Sequence, residues 1–103
     1  MPYIMTLAIY PLDKADKVAQ KYLDLLQELP IPNYIKRIVP AASRATENGL
    51  KVINVDEVKK DKVGDALEYA SKFMLGFREI EGFNCEITTY ATISESLGYI
   101  GMG

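Results

Sequence analysis

Residues 34–55 have the sequence YIKRIVPAASRATENGLKVINV, in which two extended segments flank an Asn-Gly dipeptide at 48–49. Asn and Gly both tolerate the positive φ angles that a tight hairpin turn requires. We therefore predict a β-hairpin with strands over 34–44 and 50–55. Pro40 has no backbone N–H to donate to a neighbouring strand, so the first of these strands should lie at the edge of the sheet or contain a bulge.

An amphipathic helix is predicted before this hairpin. Apolar residues recur at intervals of three and four from Ala15 to Leu29, while charged residues point elsewhere. Asp13 stands where an N-cap would accept hydrogen bonds from the free amides of a helix that opens at Lys14. The prolines at 30 and 32 end this helix.

A second amphipathic helix is predicted after the hairpin. The charged segment 56–60 is expected to be a solvated linker, and Asp61 follows it as the N-cap. Gly82 closes the helix as a C-cap. The apolar stripe of this helix consists of Val63, Ala66, Leu67, Ala70, Phe73, Met74, Phe77 and Ile80.

The two ends of the chain supply the remaining strands. Segment 3–10 is aromatic or aliphatic on both parities, which suits a central strand that is covered on both faces. Segment 83–92 alternates more cleanly, and one of its sides is polar. Its apolar side holds Phe83, Cys85, Ile87 and Ala91, and its polar side holds Asn84, Glu86, Thr88, Tyr90 and Thr92.

The predicted order is therefore strand-helix-strand-strand-helix-strand, an α+β fold of the ferredoxin-like βαββαβ type. It implies an antiparallel four-stranded sheet with both helices on one face. The tripeptide Asp-Lys-Val, at 16–18 and again at 61–63, supports two similar halves. One domain is predicted over residues 1–93. Residues 94–103 form a short tail, in which Ser94 caps a final helical turn through Leu97.

The composition excludes several kinds of function. The formal net charge is −2, with lysines and arginines scattered among acidic residues, so we expect no nucleic-acid or membrane partner. The absence of histidine rules out His-assisted nucleophiles and His-ligated zinc or haem within one chain. A single cysteine, Cys85, cannot form an internal disulfide. We expect it to be an inert core thiol in a cytoplasmic protein.

No metal site or cofactor is predicted either. Asp56, Glu57 and Asp61 are close in sequence, but lysines interleave with them. The glycine and the spacing of a calcium-binding loop are also missing.

The element order over residues 3–92 resembles that of the ferredoxin-like dimeric α/β-barrel superfamily. This resemblance implies that two sheets pair face to face into a barrel. Members include haem-degrading and quinol-forming monooxygenases, muconolactone isomerase-like enzymes, small-acid dehydratases and stress-responsive proteins. Several of them use a histidine or a tryptophan in the pocket, and this sequence contains neither. No family active-site residue therefore maps onto this chain.

A bare sheet face also predicts self-association. A sheet with helices on one side leaves its other face uncovered. On the first strand this face carries either Tyr3, Met5, Leu7 and Ile9 or Ile4, Thr6, Ala8 and Tyr10, and the sequence leaves the parity open. Neither set suits exposure to water. We therefore expect a homodimer or a higher homo-oligomer.

Candidate site residues follow from the second of these alternatives, in which the odd-numbered residues of the first strand face the helices and the even-numbered ones lie on the open face. The open face then gathers Thr6, Tyr10, Glu86, Thr88 and Tyr90. Such a mixed surface suits a small aromatic or carboxylated ligand. The alternative is that these side chains only pack a dimer interface.

Roles can be assigned to these residues. Glu86 and Tyr90 are the predicted catalytic residues, because a carboxylate sheltered in a strand suits general acid or base chemistry. The predicted ligand-binding residues are Thr6, Tyr10, Arg37 and Thr88. Arg37 or Lys36 would either pair with Glu86 or hold a substrate carboxylate.

Two functions fit these observations. The first is a dimeric small-molecule-binding protein, and within this class a cofactor-independent oxygenase or isomerase. The alternative is a non-enzymatic regulatory or assembly module that uses its sheet face for oligomerisation. RNA binding on the sheet is less favoured, because the aromatic-rich RNP pattern and basic surroundings are missing. The residues alone leave open whether the protein is an enzyme.

Overall fold

Four strands and three α-helices make up the computed structural model, which describes residues 1–102. The elements are β1 (Tyr3–Tyr10), α1 (Ala15–Glu28), β2 (Ile35–Thr46), β3 (Gly49–Val58), α2 (Val63–Leu75), β4 (Asn84–Tyr90) and α3 (Ile93–Tyr99). Within residues 1–102, none of the helices combines the length and the apolar character that crossing a membrane requires.

The strands form one antiparallel sheet in the order β2-β3-β1-β4. The α+β, ferredoxin-like architecture predicted from the sequence is confirmed, and β1 lies in the interior of the sheet. β2 lies at one edge, and its register with β3 shifts on both sides of Val39. Pro40 lies within the second of these irregular segments. β2 is therefore both an edge strand and bulged near Pro40, and each of these features was expected from the proline.

The Asn-Gly hairpin is confirmed as well. Gly49 has a φ of 122°, which a residue with a side chain rarely adopts. The Thr46 hydroxyl donates to the Gly49 carbonyl at 2.8 Å and accepts the Asn48 N–H at 3.1 Å. β3 continues to Val58, so Asp56 belongs to a strand and the prediction of a solvated linker at this position is wrong.

The starts of the two long helices differ from the prediction. Single 3-10 turns, Leu12–Lys14 and Lys60–Lys62, precede α1 and α2. Asp13 and Asp61 lie inside these turns, and neither helix has a side-chain N-cap hydrogen bond. The turns satisfy part of the free backbone instead, because Lys14 N–H bonds to Pro11 O and Lys62 N–H bonds to Lys59 O.

α2 ends at Leu75, earlier than its apolar stripe predicts. Gly76 follows, and a Cβ at this position would meet the Leu25 side chain at 2.6 Å. The chain continues in tight turns with hydrogen bonds from Phe77 N–H to Met74 O and from Ile80 N–H to Phe77 O. These turns keep Phe77 in the core although the α-helix has ended.

Both long helices pack on the same face of the sheet, which we call the helix side. Even-numbered residues of β1 are buried there, and the odd-numbered ones are only partly covered. One apolar cluster centres on Tyr10, Val18, Leu25, Phe73 and Phe77, and a second on Ile4, Ile35, Val58 and Ala66. We call the opposite face the open face, because neither α1 nor α2 packs on it.

α3 begins with a capping box at Thr92. The Thr92 hydroxyl accepts the Glu95 N–H at 3.1 Å, and the Glu95 carboxylate accepts the Thr92 N–H at 2.8 Å. The prediction that Ser94 is the cap is therefore wrong by two residues. The apolar side chains of Ile93, Tyr99 and Ile100 are exposed. The last residue of the predicted tail, Gly103, lies outside the described residues.

Replacement of Thr92 by alanine should loosen α3 by about 1 kcal/mol, the usual effect of losing an N-cap hydroxyl. Amide hydrogen exchange of α3 measures this opening, and Ser94→Ala, which removes an exposed hydroxyl outside the capping box, is the control. Equal exchange of α3 in Thr92→Ala and Ser94→Ala would contradict the assignment of Thr92 as the N-cap.

The wild-type helix should also loosen in acid. The hydrogen bond from the Thr92 backbone holds the pKa of Glu95 below its ordinary value. Because the pKa of Glu95 is lower in the folded than in the unfolded state, its ionised carboxylate stabilises the folded helix at pH values above the unfolded-state pKa. This stabilisation is lost as the pH falls through the folded-state pKa.

Candidate functional site

The predicted site residues divide between the two faces of the sheet. The register of β1 and β4 pairs Leu7 with Glu86 and Met5 with Thr88, and paired residues project to the same side. Glu86, Thr88 and, two residues further along, Tyr90 therefore lie on the open face. They share it with the odd-numbered residues of β1.

Thr6 and Tyr10 lie on the helix side, where only 5% and 9% of their surface is exposed. The parity that groups them with Glu86 is therefore wrong. Cys85 and Ile87 pair with Ala8 and Thr6, so the apolar side of β4 does turn toward the helices, but it brings the even-numbered residues of β1 with it. Cys85 is nevertheless exposed, because β4 is an edge strand, and the expectation of a core thiol is wrong.

Arg37 also lies on the helix side, where it forms a two-pronged ion pair with Asp56. The distances are 2.8 Å from Nε to Oδ1 and 3.2 Å from Nη2 to Oδ2. Burial lowers the pKa of Arg37, but the hydrogen bond and the charge of Asp56 outweigh this effect and raise it. Arg37 is therefore not available to Glu86, and the alternative in which Arg37 pairs with Glu86 is wrong.

A cavity of about 150 Å³ lies between the helices and the β2–β3 side of the sheet. We call it the helix-side cavity. Its walls include Tyr10, Tyr22, Asn54, Met74, Phe77 and Phe83. A polar annex of about 20 Å³ shares Tyr22, Asn54 and Met74 with it, and Thr6, Arg37 and Asp56 also line this annex. Of the predicted ligand-binding residues, Tyr10 thus lines the helix-side cavity, and Thr6 and Arg37 line the neighbouring annex.

The aromatic wall of the helix-side cavity is ordered by ring stacking. The Phe77 and Phe83 rings are nearly parallel, with centroids 4.6 Å apart, and the Phe83 and Tyr10 rings are nearly parallel at 6.0 Å. Both separations are within the range of favourable aromatic pairs. Burial raises the pKa of the Tyr10 hydroxyl, so this residue is neutral at neutral pH.

The entrance wall contains a strained residue. Ala41 has a φ of 44°, and it is the one non-glycine residue with positive φ among residues 1–102. Its N–H donates to Oδ1 of Asn54 at 2.7 Å. Because a backbone N–H can only donate, this bond fixes which end of the Asn54 amide is the oxygen. Strain of this kind persists only where surrounding contacts enforce it, and it is often found at binding sites.

The far end of the cavity region is closed by Tyr69. Its hydroxyl donates to the Leu29 carbonyl at 2.7 Å and so joins α2 to the end of α1. Burial raises the pKa of Tyr69, which keeps the hydroxyl protonated as a donor. This bond stabilises the separation of the two helices above the annex.

Asp56 lines the annex, and like Asn54 it is a site residue that the sequence did not predict. The charge run that begins at this position favours a linker. A signal was present, however, because Val52, Asn54, Asp56 and Val58 continue the alternation of a strand. Extending the strand by three residues would have placed Asp56 on the same side as Asn54.

The open face is a shallow apolar surface with a charged rim. Met5 and Leu7 of β1 pair with Val55 and Ile53 of β3, and these four side chains form its centre. Arg44 and Lys51 pair with each other on the β2 side, whereas Glu86 lies on the β4 side. A depression of about 330 Å³ extends from Met5 to Arg44.

Neither face provides a metal centre in the described part of the chain. Among residues 1–102, no three Asp, Glu or Cys side chains are close enough together to hold an ion. Asp56 is the single carboxylate among the residues that line the helix-side cavity and its annex, and it is already paired with Arg37. The polar groups that line the helix-side cavity and its annex are therefore either neutral or held in this ion pair.

Comparisons with solved structures support the fold. The chain is similar to a de novo designed protein, Foldit4, with a TM-score of 0.51 and 10% identity over 88% of this chain and 96% of that one. It is also similar to the C-terminal domain of the MgtC protein from Mycobacterium tuberculosis, with a TM-score of 0.50 and 11% identity over 88% and 86% of the two chains. At this identity the likeness shows the fold alone. No protein-family profile and no curated protein matches the chain.

Proposed function

We propose that this protein binds a small molecule in the helix-side cavity and that its subunits associate through the open face. The observation that carries the binding function is the cavity itself. It is a cleft open to solvent, since its lining includes the exposed residues Ala19 and Ser43. Here about 150 Å³ lies between aromatic and polar side chains. An apolar cavity with a few convergent polar groups is the common form of a ligand site.

Self-association follows from the open face. Met5, Leu7, Ile53 and Val55 form a contiguous apolar centre that the chain buries only in part and that neither α1 nor α2 covers. Contiguous apolar patches on soluble proteins commonly mark interfaces. A second copy is the occupant that we propose, since a two-fold pair uses one self-complementary surface twice.

The rim charges favour this pairing. A two-fold axis parallel to the strands reverses the order β2-β3-β1-β4 in the facing sheet. The β4 edge of each copy then lies across from the β2 edge of the other. This arrangement brings the acidic Glu86 edge toward the basic edge that contains Arg44 and Lys51.

The proposed dimer gives a place to the three predicted site residues that lie on the open face. Thr88 would contact the facing sheet, and Glu86 and Tyr90 would become enclosed only in the dimer. General acid or base chemistry by Glu86 and Tyr90 stays a prediction, and so does an oxygenase or isomerase activity. If Glu86→Gln and Tyr90→Phe change neither ligand binding nor turnover, these two residues have no catalytic role.

The second candidate function is an assembly or regulatory module without a ligand. The open face favours it independently of the cavity, because its apolar centre would be covered in either case. The two functions differ in one respect. A ligand-binding protein retains a small molecule in its interior, whereas an assembly module carries only a second subunit.

Native mass spectrometry of freshly purified protein tests both parts of the proposal. We expect a dimer of the 11.5 kDa chain with additional mass from one small molecule per subunit. Leu7→Lys should give monomers, because it puts a charge in the centre of the open face. Leu12→Lys, at a residue that is 59% exposed and outside β1, is the matched control and should remain dimeric. A ligand-free dimer would favour the assembly module, and a wild-type monomer would refute association through this face.

A further inference from the structure

The helix-side cavity is specific enough to indicate the chemical class of its ligand. We infer that it takes a neutral, single-ring aromatic molecule that carries one hydrogen-bond-accepting oxygen. This inference rests on the proposed binding function. Four features of the cavity carry it, namely its volume, its aromatic wall, the cancelled charge of Arg37 and the orientation of the Asn54 amide.

The volume of the cavity matches a ligand of one ring. A cavity of about 150 Å³ accommodates a molecule of the size of benzene. The annex of about 20 Å³ is too small for a second ring, since a single water molecule needs roughly 10–15 Å³ of such volume. A ring with a substituent of a few atoms therefore fills these two spaces, and a second ring would have to extend out of the cavity past the exposed residues Ala19 and Ser43.

The walls favour a flat ring over an aliphatic one. Tyr10, Phe77 and Phe83 present a nearly parallel set of rings, and Met74 lies on the helix that faces them. Aromatic rings gain from offset stacking or edge-to-face contacts with one another, and a methionine sulfur also favours aromatic neighbours. A saturated ring of equal size would lack these contacts.

The charges favour a neutral ligand. Arg37 is the one cationic residue among those that line the cavity and its annex, and both of its prongs are bound to Asp56. A carboxylate on the ligand would enter an apolar space with its counter-charge already neutralised. Burial of an unpaired charge is strongly unfavourable. An uncharged carbonyl or hydroxyl avoids this cost.

Asn54 supplies the donor. Its Oδ1 is bound to the Ala41 N–H at 2.7 Å, so Nδ2 is the end of the amide that is left for a ligand. No residue within 1–102 accepts a hydrogen bond from Nδ2. The strained φ of Ala41 is thus explained by function, because it holds the amide in the orientation that presents a donor. A carbonyl or hydroxyl oxygen on the ring is the matching acceptor.

The test compares three molecules of similar size, namely benzamide, benzoate and cyclohexanecarboxamide. Protein NMR spectra are recorded during titration of the dimer or monomer, whichever the purified protein forms. We expect benzamide to shift the amide signals of Ala41, Val52 and Asn54. Its affinity should be at least about tenfold above that of benzoate, which is charged, and that of cyclohexanecarboxamide, which is not flat. Equal or tighter binding of either analogue would overturn the ligand class.

Two variants locate the site. Asn54→Asp keeps an acceptor for the Ala41 N–H but removes the donor, and it should weaken benzamide binding at least about tenfold. Ala19→Phe places a ring at the cavity from an exposed position on α1 and should abolish binding. Gln20→Phe, also exposed but outside the lining, is the matched control and should bind as wild type. Unchanged binding in Ala19→Phe would place benzamide elsewhere and refute the site.

This experiment separates the two levels of the proposal. If the purified protein retains a small molecule but none of the three compounds shifts the signals of the cavity, the ligand class is wrong and the binding function stands. If no molecule is retained and no compound binds, both fail.

Discussion

Replacement of Arg37 by methionine is expected to lower the free energy of unfolding by about 3–5 kcal/mol, because it leaves Asp56 as an unpaired charge in the interior. The Asp56 side chain is 6% exposed and that of Arg37 is 17% exposed. Methionine retains much of the apolar stem of arginine, so the loss of packing is small. Urea-induced unfolding, followed by circular dichroism, measures the change.

The surface pair of Lys72 and Glu68 is the control for this experiment. It is also a close ion pair, at 3.0 Å, but both side chains are 63% exposed. Lys72→Ala should change the free energy of unfolding by no more than about 0.5 kcal/mol, since exposed pairs of this spacing contribute little. The contrast between the two variants isolates burial as the cause, because both remove one cation from a close pair.

A double variant completes the argument. Arg37→Met together with Asp56→Leu replaces the buried pair by apolar side chains, and it should recover most of the stability that Arg37→Met alone loses. If the double variant is as unstable as the single one, lost packing and not the unpaired carboxylate is responsible. A loss below about 1 kcal/mol for Arg37→Met would show that water reaches Asp56.

Much of the fold was predictable because its signals are local. The Asn-Gly turn, the bulged edge strand at Pro40 and the period of α1 each depend on a few neighbouring residues. Even where α2 ends early, Phe77 is buried as its stripe predicts, since the turns after Gly76 continue the path of the helix.

The site was less predictable because its signals are not local. Both parities of β1 are apolar, so alternation could not tell which one faces the helices. The choice is made by the register with β4, which pairs Thr6 with Ile87 and Leu7 with Glu86, residues that are 81 and 79 positions apart in the sequence. The helix-side cavity depends on still more distant packing, between two helices and a bulged strand.

Gly49→Ala should have the second largest effect, a loss of at least about 3 kcal/mol or failure to fold. Gly49 is buried, and its φ of 122° is costly for any residue with a side chain, by about 1–3 kcal/mol. A Cβ would also overlap the carbonyl group of Tyr10. Because this obstacle is the backbone of an interior strand, it cannot move aside as a flexible side chain would. Thermal and urea unfolding measure the loss.

Gly64 provides the opposite case on the same chain. It lies in the first turn of α2, and a Cβ there would meet nothing within 4 Å. Gly64→Ala should therefore stabilise the protein by about 0.4–1 kcal/mol, since it restricts the unfolded chain and favours the helix. Equal effects of the two substitutions would contradict the geometry of the β2–β3 turn.

The Gly49 variant also tests how the turn supports the cavity. Tyr10 pairs with Leu50, the neighbour of Gly49, and Tyr10 is part of the aromatic wall. A displaced Tyr10 carbonyl would shift this ring, so Gly49→Ala protein that still folds should bind benzamide more weakly than wild type. Gly64→Ala should bind it equally well, because its new methyl group is exposed. Undiminished binding by a folded Gly49→Ala protein would show that the end of β1 and the aromatic wall are mechanically independent.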